Sequence, residues 1–377
     1  MGIIKIREPK SYIPLAIFLT IFTAIIVIFS VLHIIFAEAH VYLIGLCQKF
    51  GVPITLYTVV EMFFVGAVLL GYILVSTMLL VWLERKIAGH IQARLGPMRT
   101  GGWHGWVQTL IDGFKLIFKE DIIPDGADKF VFILSPFIVF IPGVAMLAAI
   151  PFTDKLVPAD LDMALIYVLG FSSITVIGII MAGWSSNNKY SLLGGLRSAA
   201  QMVSYEVPRA ISVLGVIMLA GSFSLVEIVK AQDQMWFVIP QILAFAVYFI
   251  SSLAEINRAP FDIPEAESEL VAGFHTEYSG LRFSFFFMAE YANMFVVAAL
   301  ATVLFLGGWK ALPFMGFIPP VLWFLGKTYF LACVIIWIRW TLPRYRVDQL
   351  MALCWKFLIP VAFLNFFGTA VFLLFAK

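Results

Sequence analysis

TVVEMFFVGAVLLGYILVSTMLLVWL, residues Thr58 to Leu83, decides the kind of fold this chain adopts. The run carries no base and a single carboxylate, Glu61. As a helix rising 1.5 Å per residue it exceeds the roughly 30 Å of a bilayer's hydrocarbon core. A lipid-embedded segment must satisfy its own backbone polar groups, which leaves a helix or a closed barrel. Barrel strands alternate apolar and polar residues, and this run does not. It predicts a transmembrane helix.

Comparable runs lie near Tyr12 to Phe36, Phe130 to Ile150, Met163 to Trp184, Gln201 to Ala220, Trp236 to Ala254, Ser284 to Leu306, Ile318 to Arg339 and Ala352 to Phe375. The expected fold class is therefore all-α, a polytopic bundle of about nine spans. Composition agrees, with 62% hydrophobic and 13% charged residues against about 25% charged in soluble domains. The first run ends in Ala37, Glu38 and Ala39, which imitates a signal-peptidase site, but it is too long for a signal h-region. It reads as a retained span.

Cytoplasmic loops should be rich in Lys and Arg. Nineteen of the 25 such residues fall at the N-terminus and in the breaks after spans two, four, six and eight, with Arg209 and Lys356 counted at helix ends. Five fall on the other side, and Lys327 lies within span eight. This predicts a cytoplasmic N-terminus and an external C-terminus. The long break from Glu84 to Lys129 then faces the cytoplasm. Within it, Trp103, Trp106, Val107, Leu110, Ile111, Phe114, Ile117 and Phe118 recur at helical spacing, predicting an amphipathic helix over about 103–119. Phe223 to Lys230 suggests a second short surface helix.

The same cytoplasmic face holds SLAEINRAPFDIPEAESELVAGFHTEYSGLRFSFFFMAE, residues 252–290, with seven acids against two bases, Arg258 and Arg282. An acid at a helix centre in a membrane costs about 2.5 to 3.5 kcal/mol, so the cluster is a functional candidate. Glu206 stands one turn before Arg209 with Pro208 between them, which fits either an internal ion pair or a protonatable relay. Glu255 could simply pair with nearby Arg258. Glu290 sits in an apolar run with no base near it in sequence. Pro264, Glu265, Glu267 and Glu269 fit a helix start, with Glu265 and Glu269 sharing a face. Such carboxylates suit ion transfer. One charge crossing about 150 mV costs near 3.5 kcal/mol, which a pKa change of about 2.5 units balances.

Arg85, Lys86, Arg94 and Arg99 read either as topology signals or as the lining of a cavity for a polar headgroup with an apolar tail, as a quinone would require. Cys47, Cys333 and Cys354 are scattered, and His33, His40, His90, His104 and His275 form no spaced pairs. No metal site is expected, and electrons would be carried elsewhere.

Five blocks carry a resemblance: WLERKIAGHIQARLGPMRTG with DGFKLIFKEDIIP, then SLLGGLRSAAQMVSYEVPRA, then AEINRAPFDIPEAESELVAGFHTEYSGLRFSFFFMAEYANM, then RWTLPRYRVDQLMALCWKFLIP. They resemble the H-subunit family of bacterial proton-translocating NADH-quinone oxidoreductase, respiratory complex I, the counterpart of mitochondrial NADH dehydrogenase subunit 1. The likeness runs from about Thr58 onward. It implies a bacterial inner-membrane subunit of a translocase in the respiratory chain, with a domain over 51–377 that forms much of a quinone (ubiquinone-type) chamber. It implies quinone-binding roles near Arg85 and Arg94, and a proton or coupling path through Glu84, Glu206, Glu255, Glu265, Glu267, Glu269 and Glu290. NADH, FMN and iron–sulfur clusters would sit on partner subunits. Residues 1–50 depart from the pattern by adding a span. Two other readings stay open on the residues alone, the membrane anchor of an energy-converting hydrogenase and a stand-alone proton or cation transporter.

Overall fold

The computed structural model describes residues 54–101, 104–263, 270–311 and 318–376. The expected span at Tyr12 to Phe36, and Glu265, Glu267 and Glu269, lie outside the described residues. The chain forms two compact units, Met1–Phe64 with Pro97–Gln108, and Val65–Gly96 with Thr109–Lys377.

All described regular structure is helical, in keeping with the expected class. In order the helices are α1 (Ile54–Ile91), α2 (Gln108–Phe118), α3 (Lys129–Ala148), α4 (Ala164–Ser185), α5 (Lys189–Ala220), α6 (Leu225–Ala231), α7 (Ile242–Glu255), α8 (Gly280–Phe305), α9 (Pro320–Thr341), α10 (Val347–Ala352) and α11 (Ile359–Ala376). A 3₁₀ turn, Gly273–His275, lies between α7 and α8, and a π-helical turn, Leu353–Leu358, joins α10 to α11. Seven stretches among the described residues are long and apolar enough to cross a membrane.

The expected span at Trp236 to Ala254 is only partly helical. Its helix, α7, has 14 residues, about 21 Å, and begins after Pro240, which has no N–H to donate. The residues before it are turns held by other parts of the chain. Phe237 N donates to Gln232 Oε1 at 3.2 Å, and Val238 N donates to Phe305 O at 2.9 Å. Irregular backbone at membrane depth is tolerated where protein supplies such partners.

α5 starts a dozen residues before the expected Gln201, because Asn188 caps it by accepting from Tyr190 N at 3.0 Å. Lys189, Arg197 and the Gly194–Gly195 pair lower the hydropathy of a segment that is nonetheless helical. Arg209 therefore sits well inside a 32-residue helix and is 3% exposed. It is not a loop base, and the tally of cytoplasmic charges loses it.

The amphipathic helix is present at α2 but is shorter than expected. Within the smaller unit, His104 and Gly105 have φ of 51° and 64°, which end helical propagation. A Cβ on Gly105 would meet Pro97 O at 2.7 Å. α6 matches the expected short surface helix and buries Leu225, Val226, Ile228 and Val229.

In the larger unit α5 packs against α4, α7, α11 and the 3₁₀ turn, and α8 against α3, α9, α6 and α7. The 3₁₀ turn meets α5 backbone to backbone, since a Cβ on Gly194 would lie 2.7 Å from Gly273 Cα. Lys327, the base inside span eight, closes the end of α8. Its Nζ donates to Leu306 O at 2.7 Å, Gly308 O at 3.1 Å and Lys310 O at 2.8 Å, a cation on the carbonyls of the turn that follows the helix C-terminus. Pro208 within α5 leaves Ser204 O without its helical donor. The Cys354 thiol of the π-helical turn donates to it at 3.1 Å.

Candidate functional site

The larger unit gathers charges where apolar helices meet. Arg258, on the connection after α7, has a side chain 1% exposed. Its Nη1 donates to Glu84 Oε2 of α1 at 2.9 Å, and its Nε lies 2.5 Å from Glu290 Oε1 of α8. Arg339 Nη1 of α9 donates to Glu84 Oε1 at 2.6 Å. Tyr291 Oη donates to Glu84 Oε2 at 2.7 Å, and the Tyr291 ring lies 4.2 Å beneath the Arg258 guanidinium. Two carboxylates thus oppose two guanidiniums largely out of bulk solvent, where pairing offsets desolvation only if the geometry is good.

A second group sits between α4, α5 and α7. Arg209 Nη1 donates to Glu255 Oε2, and Arg209 Nη2 donates to Ser172 Oγ at 2.6 Å. Glu206 accepts from Ser173 Oγ. The end of α7 is fixed by Gln201, whose Nε2 reaches Ala254 O at 2.8 Å, Asn257 Oδ1 at 3.1 Å and Phe261 O at 2.7 Å. Asn257 has φ of 52°, a conformation Asn tolerates. Its Nδ2 donates to Ser198 Oγ at 2.9 Å. This knot sets Glu255 and Arg258, three residues apart, on separate partners.

Between the groups lies a cavity of about 180 Å³, lined among others by Glu255, Asn257, His275, Glu290, Asn293 and Arg339. A smaller one of about 20 Å³ continues past Glu255 to Arg209 and Ser172. His275, on the 3₁₀ turn, stands edge-on to the rings of Phe274 and Phe283. Burial pushes its imidazole down to about 4, so it is neutral near pH 7.

A separate groove of about 430 Å³ runs between α1, α2, α3 and α8. Its walls include Leu70, Leu74, Val81, Phe114, Phe140 and Phe285, and Arg85 and Asp112 meet in it at 2.5 Å. The apolar residues Leu110, Phe114 and Ile117 of α2 remain exposed along it. Among the described residues no group of three or more His, Cys, Asp or Glu gathers as a metal site.

The family described as NADH dehydrogenase matches residues 64–370. The NADH-quinone oxidoreductase H subunit of Geobacillus thermodenitrificans is 51% identical over 316 residues, 84% of this chain and 95% of that protein. The H subunit of the same enzyme from Anoxybacillus flavithermus is 52% identical over the same length and shares. That of Bacillus cereus strain B4264 is 53% identical over 288 residues, 76% of this chain and 86% of that protein. The chain belongs to the NADH-quinone oxidoreductase H-subunit family. It is a multi-pass membrane subunit of an oxidoreductase complex, and the complex's other subunits are its partners.

Within this family member the sequence-predicted residues fall into distinct places. Glu255 and Glu290 line the cavity, Glu84 is joined to it through Arg339 and Arg258, and Glu206 is held by Ser173 of α4. Arg85 reaches the groove, whereas Arg94 is exposed on the turn after α1 and lies apart from the groove's lining. Two pairings differ from the local readings. Arg209 turns to Glu255 and Ser172, not to Glu206 one turn away, because α5 directs these side chains to different neighbours. Arg258 turns from Glu255 to Glu84 and Glu290, so Glu290 does have a base, 32 residues away in sequence. Arg339, Tyr291, Asn293 and His275 escaped the sequence reading. The available signal was charge or amide inside a span, which Arg339 and Asn293 carry.

Proposed function

We propose that this membrane subunit guides a quinone along the apolar groove beside Arg85 toward a reduction site at the cytoplasmic face. We further propose that quinone reduction drives proton movement through Glu84, Glu290, Glu255 and Glu206. Glu265, Glu267 and Glu269 would extend that path, and Arg94, outside the groove, would contribute to quinone binding from the turn after α1. NADH, FMN and iron–sulfur clusters would reside on partner subunits, with the chain in a bacterial inner membrane, its N-terminus cytoplasmic and its C-terminus periplasmic. Residues 51–377 would make up the family domain and residues 1–50 an additional span.

The observation that carries this reading is the placement of Glu255. It borders both cavities, sharing the wall of one with Glu290 and Arg339 and pairing directly with Arg209 at the other. Carboxylates buried among fixed cations change proton affinity when a nearby charge changes, and quinone reduction is such a change. The groove fits an isoprenoid tail because its lining is almost wholly apolar while its one ion pair can meet a headgroup.

The test uses the intact complex in proteoliposomes carrying Glu206→Gln or Glu255→Gln. Each substitution should lower quinone reductase activity or the protons moved per electron. Wild-type rates and full coupling in both variants would overturn the reading.

A further inference from the structure

Asn293 stands one turn after Glu290 on α8 and lines both cavities. Among the described residues, Thr175, Met202, Ile256 and Glu255 also line both. Of these five only Glu255 ionises, and only Asn293 offers an amide. Its Oδ1 is buried and has no hydrogen-bond partner. A buried amide oxygen at the wall of a cavity is ordinarily satisfied by water.

The space permits it. A water occupies roughly 10 to 15 Å³ of such cavity volume, so about 180 Å³ holds several and about 20 Å³ holds one. The amide oxygen abuts the opposing helix. Gly143 of α3 faces the amide, and a Cβ there would sit 3.2 Å from Asn293 Oδ1.

We propose that Asn293 is a positioning residue for proton transfer, holding the water that joins Glu290 to Glu255 where the two cavities meet. This deepens the proton-path reading above and rests on it. An amide both donates and accepts hydrogen bonds but does not ionise at neutral pH. It can therefore orient a water without capturing the proton. In the transfer, an O–H bond of the Glu290 carboxylic acid breaks as one forms to the water. The water gives up another of its hydrogens to Glu255, so it is regenerated and the number of protons is unchanged.

The experiment compares Asn293→Leu, Asn293→Ser and Glu255→Gln in the intact complex, reading assembly, coupled quinone reduction, protons per electron and the solvent deuterium isotope effect. Leucine has the same four-heavy-atom branched skeleton as asparagine but cannot bind water. It should assemble at the wild-type level, slow coupled turnover about tenfold and raise the isotope effect. Serine, which supplies a hydroxyl and leaves room for a second water, should recover at least half of the loss. Wild-type behaviour of Asn293→Leu alongside a defective Glu255→Gln would overturn the inference and leave the proton path standing. Wild-type behaviour of both would overturn the path as well. Should Asn293→Leu fail to assemble, Gly143→Ala carries the test. Its added methyl displaces the amide by a few tenths of an ångström and should slow coupled turnover about threefold, and wild-type values there would overturn the inference.

Discussion

Arg258 and Glu84, 174 residues apart in sequence, form a buried hydrogen-bonded ion pair at 2.9 Å. The pair ties α1 to the connection after α7, and Glu290 completes it from α8. Removing the guanidinium would strand Glu290 at low dielectric and leave Glu84 with Arg339. Breaking a buried pair from one side costs about 3–5 kcal/mol. Arg258→Met should therefore sharply lower the amount of assembled complex, measured on native gels. Adding Glu290→Gln to it should restore part of the loss, since the stranded charge is gone. Arg258→Lys should rescue poorly, because an ammonium is a point charge and cannot serve two carboxylates in the planar fork while stacking on Tyr291.

The groove can be narrowed without disturbing the fold. Gly113 of α2 lines it, and a Cβ there would meet nothing within 4 Å. Gly113→Trp should fill space that a quinone tail would occupy. KM for a long-tailed quinone should rise several-fold while that for a short-tailed analogue changes little. Equal effects on the two, or none, would argue against the groove as the access route.

His275 gives a pH signature. Its imidazole sits at about 4 in the fold and near 6.5 when unfolded. Because the folded value is depressed, the unfolded chain binds the proton first as pH falls. Stability is unaffected by this group above about pH 6.5, declines as pH falls from there to about 4, and is flat below. Thermal unfolding of the chain in detergent should show that decline, and His275→Gln should reduce its slope.

The thiol of Cys354 offers a structural check on the gap Pro208 leaves in the hydrogen bonding of α5. Its bond to Ser204 O at 3.1 Å replaces the amide hydrogen that Pro208 lacks. Cys354→Ser keeps a donor and should retain stability. Cys354→Ala leaves a buried carbonyl unsatisfied, costing about 1–3 kcal/mol, and should lower the unfolding temperature of the chain in detergent.

Much of the bundle is legible in the sequence because long apolar runs such as Thr58 to Leu83 have few other solutions in lipid. The errors lie where hydropathy and helix part company. α5 runs on through Gly194, Gly195 and Arg197 because close packing against Gly183 and Gly273 rewards small residues that a hydropathy window scores as breaks. α7 stops short because Pro240 interrupts an apolar stretch that still reads as a span. Individual acids were visible as anomalies, but their partners were not. Local spacing pointed Glu206 to Arg209 and Glu255 to Arg258, whereas helix packing assigns Arg209 to Glu255 and Arg258 to Glu84 and Glu290. Arg339 reads as a topology signal at a helix end until α9 is set beside α1.

Redox-triggered infrared difference spectroscopy of the intact complex tests the coupling most directly, by following carboxyl C=O bands as bound quinone is reduced. The expected result is a protonation band that appears on reduction and is lost or displaced in Glu255→Gln and Glu290→Gln. A spectrum with no carboxyl response to quinone reduction, or one identical in the wild type and both variants, would contradict it.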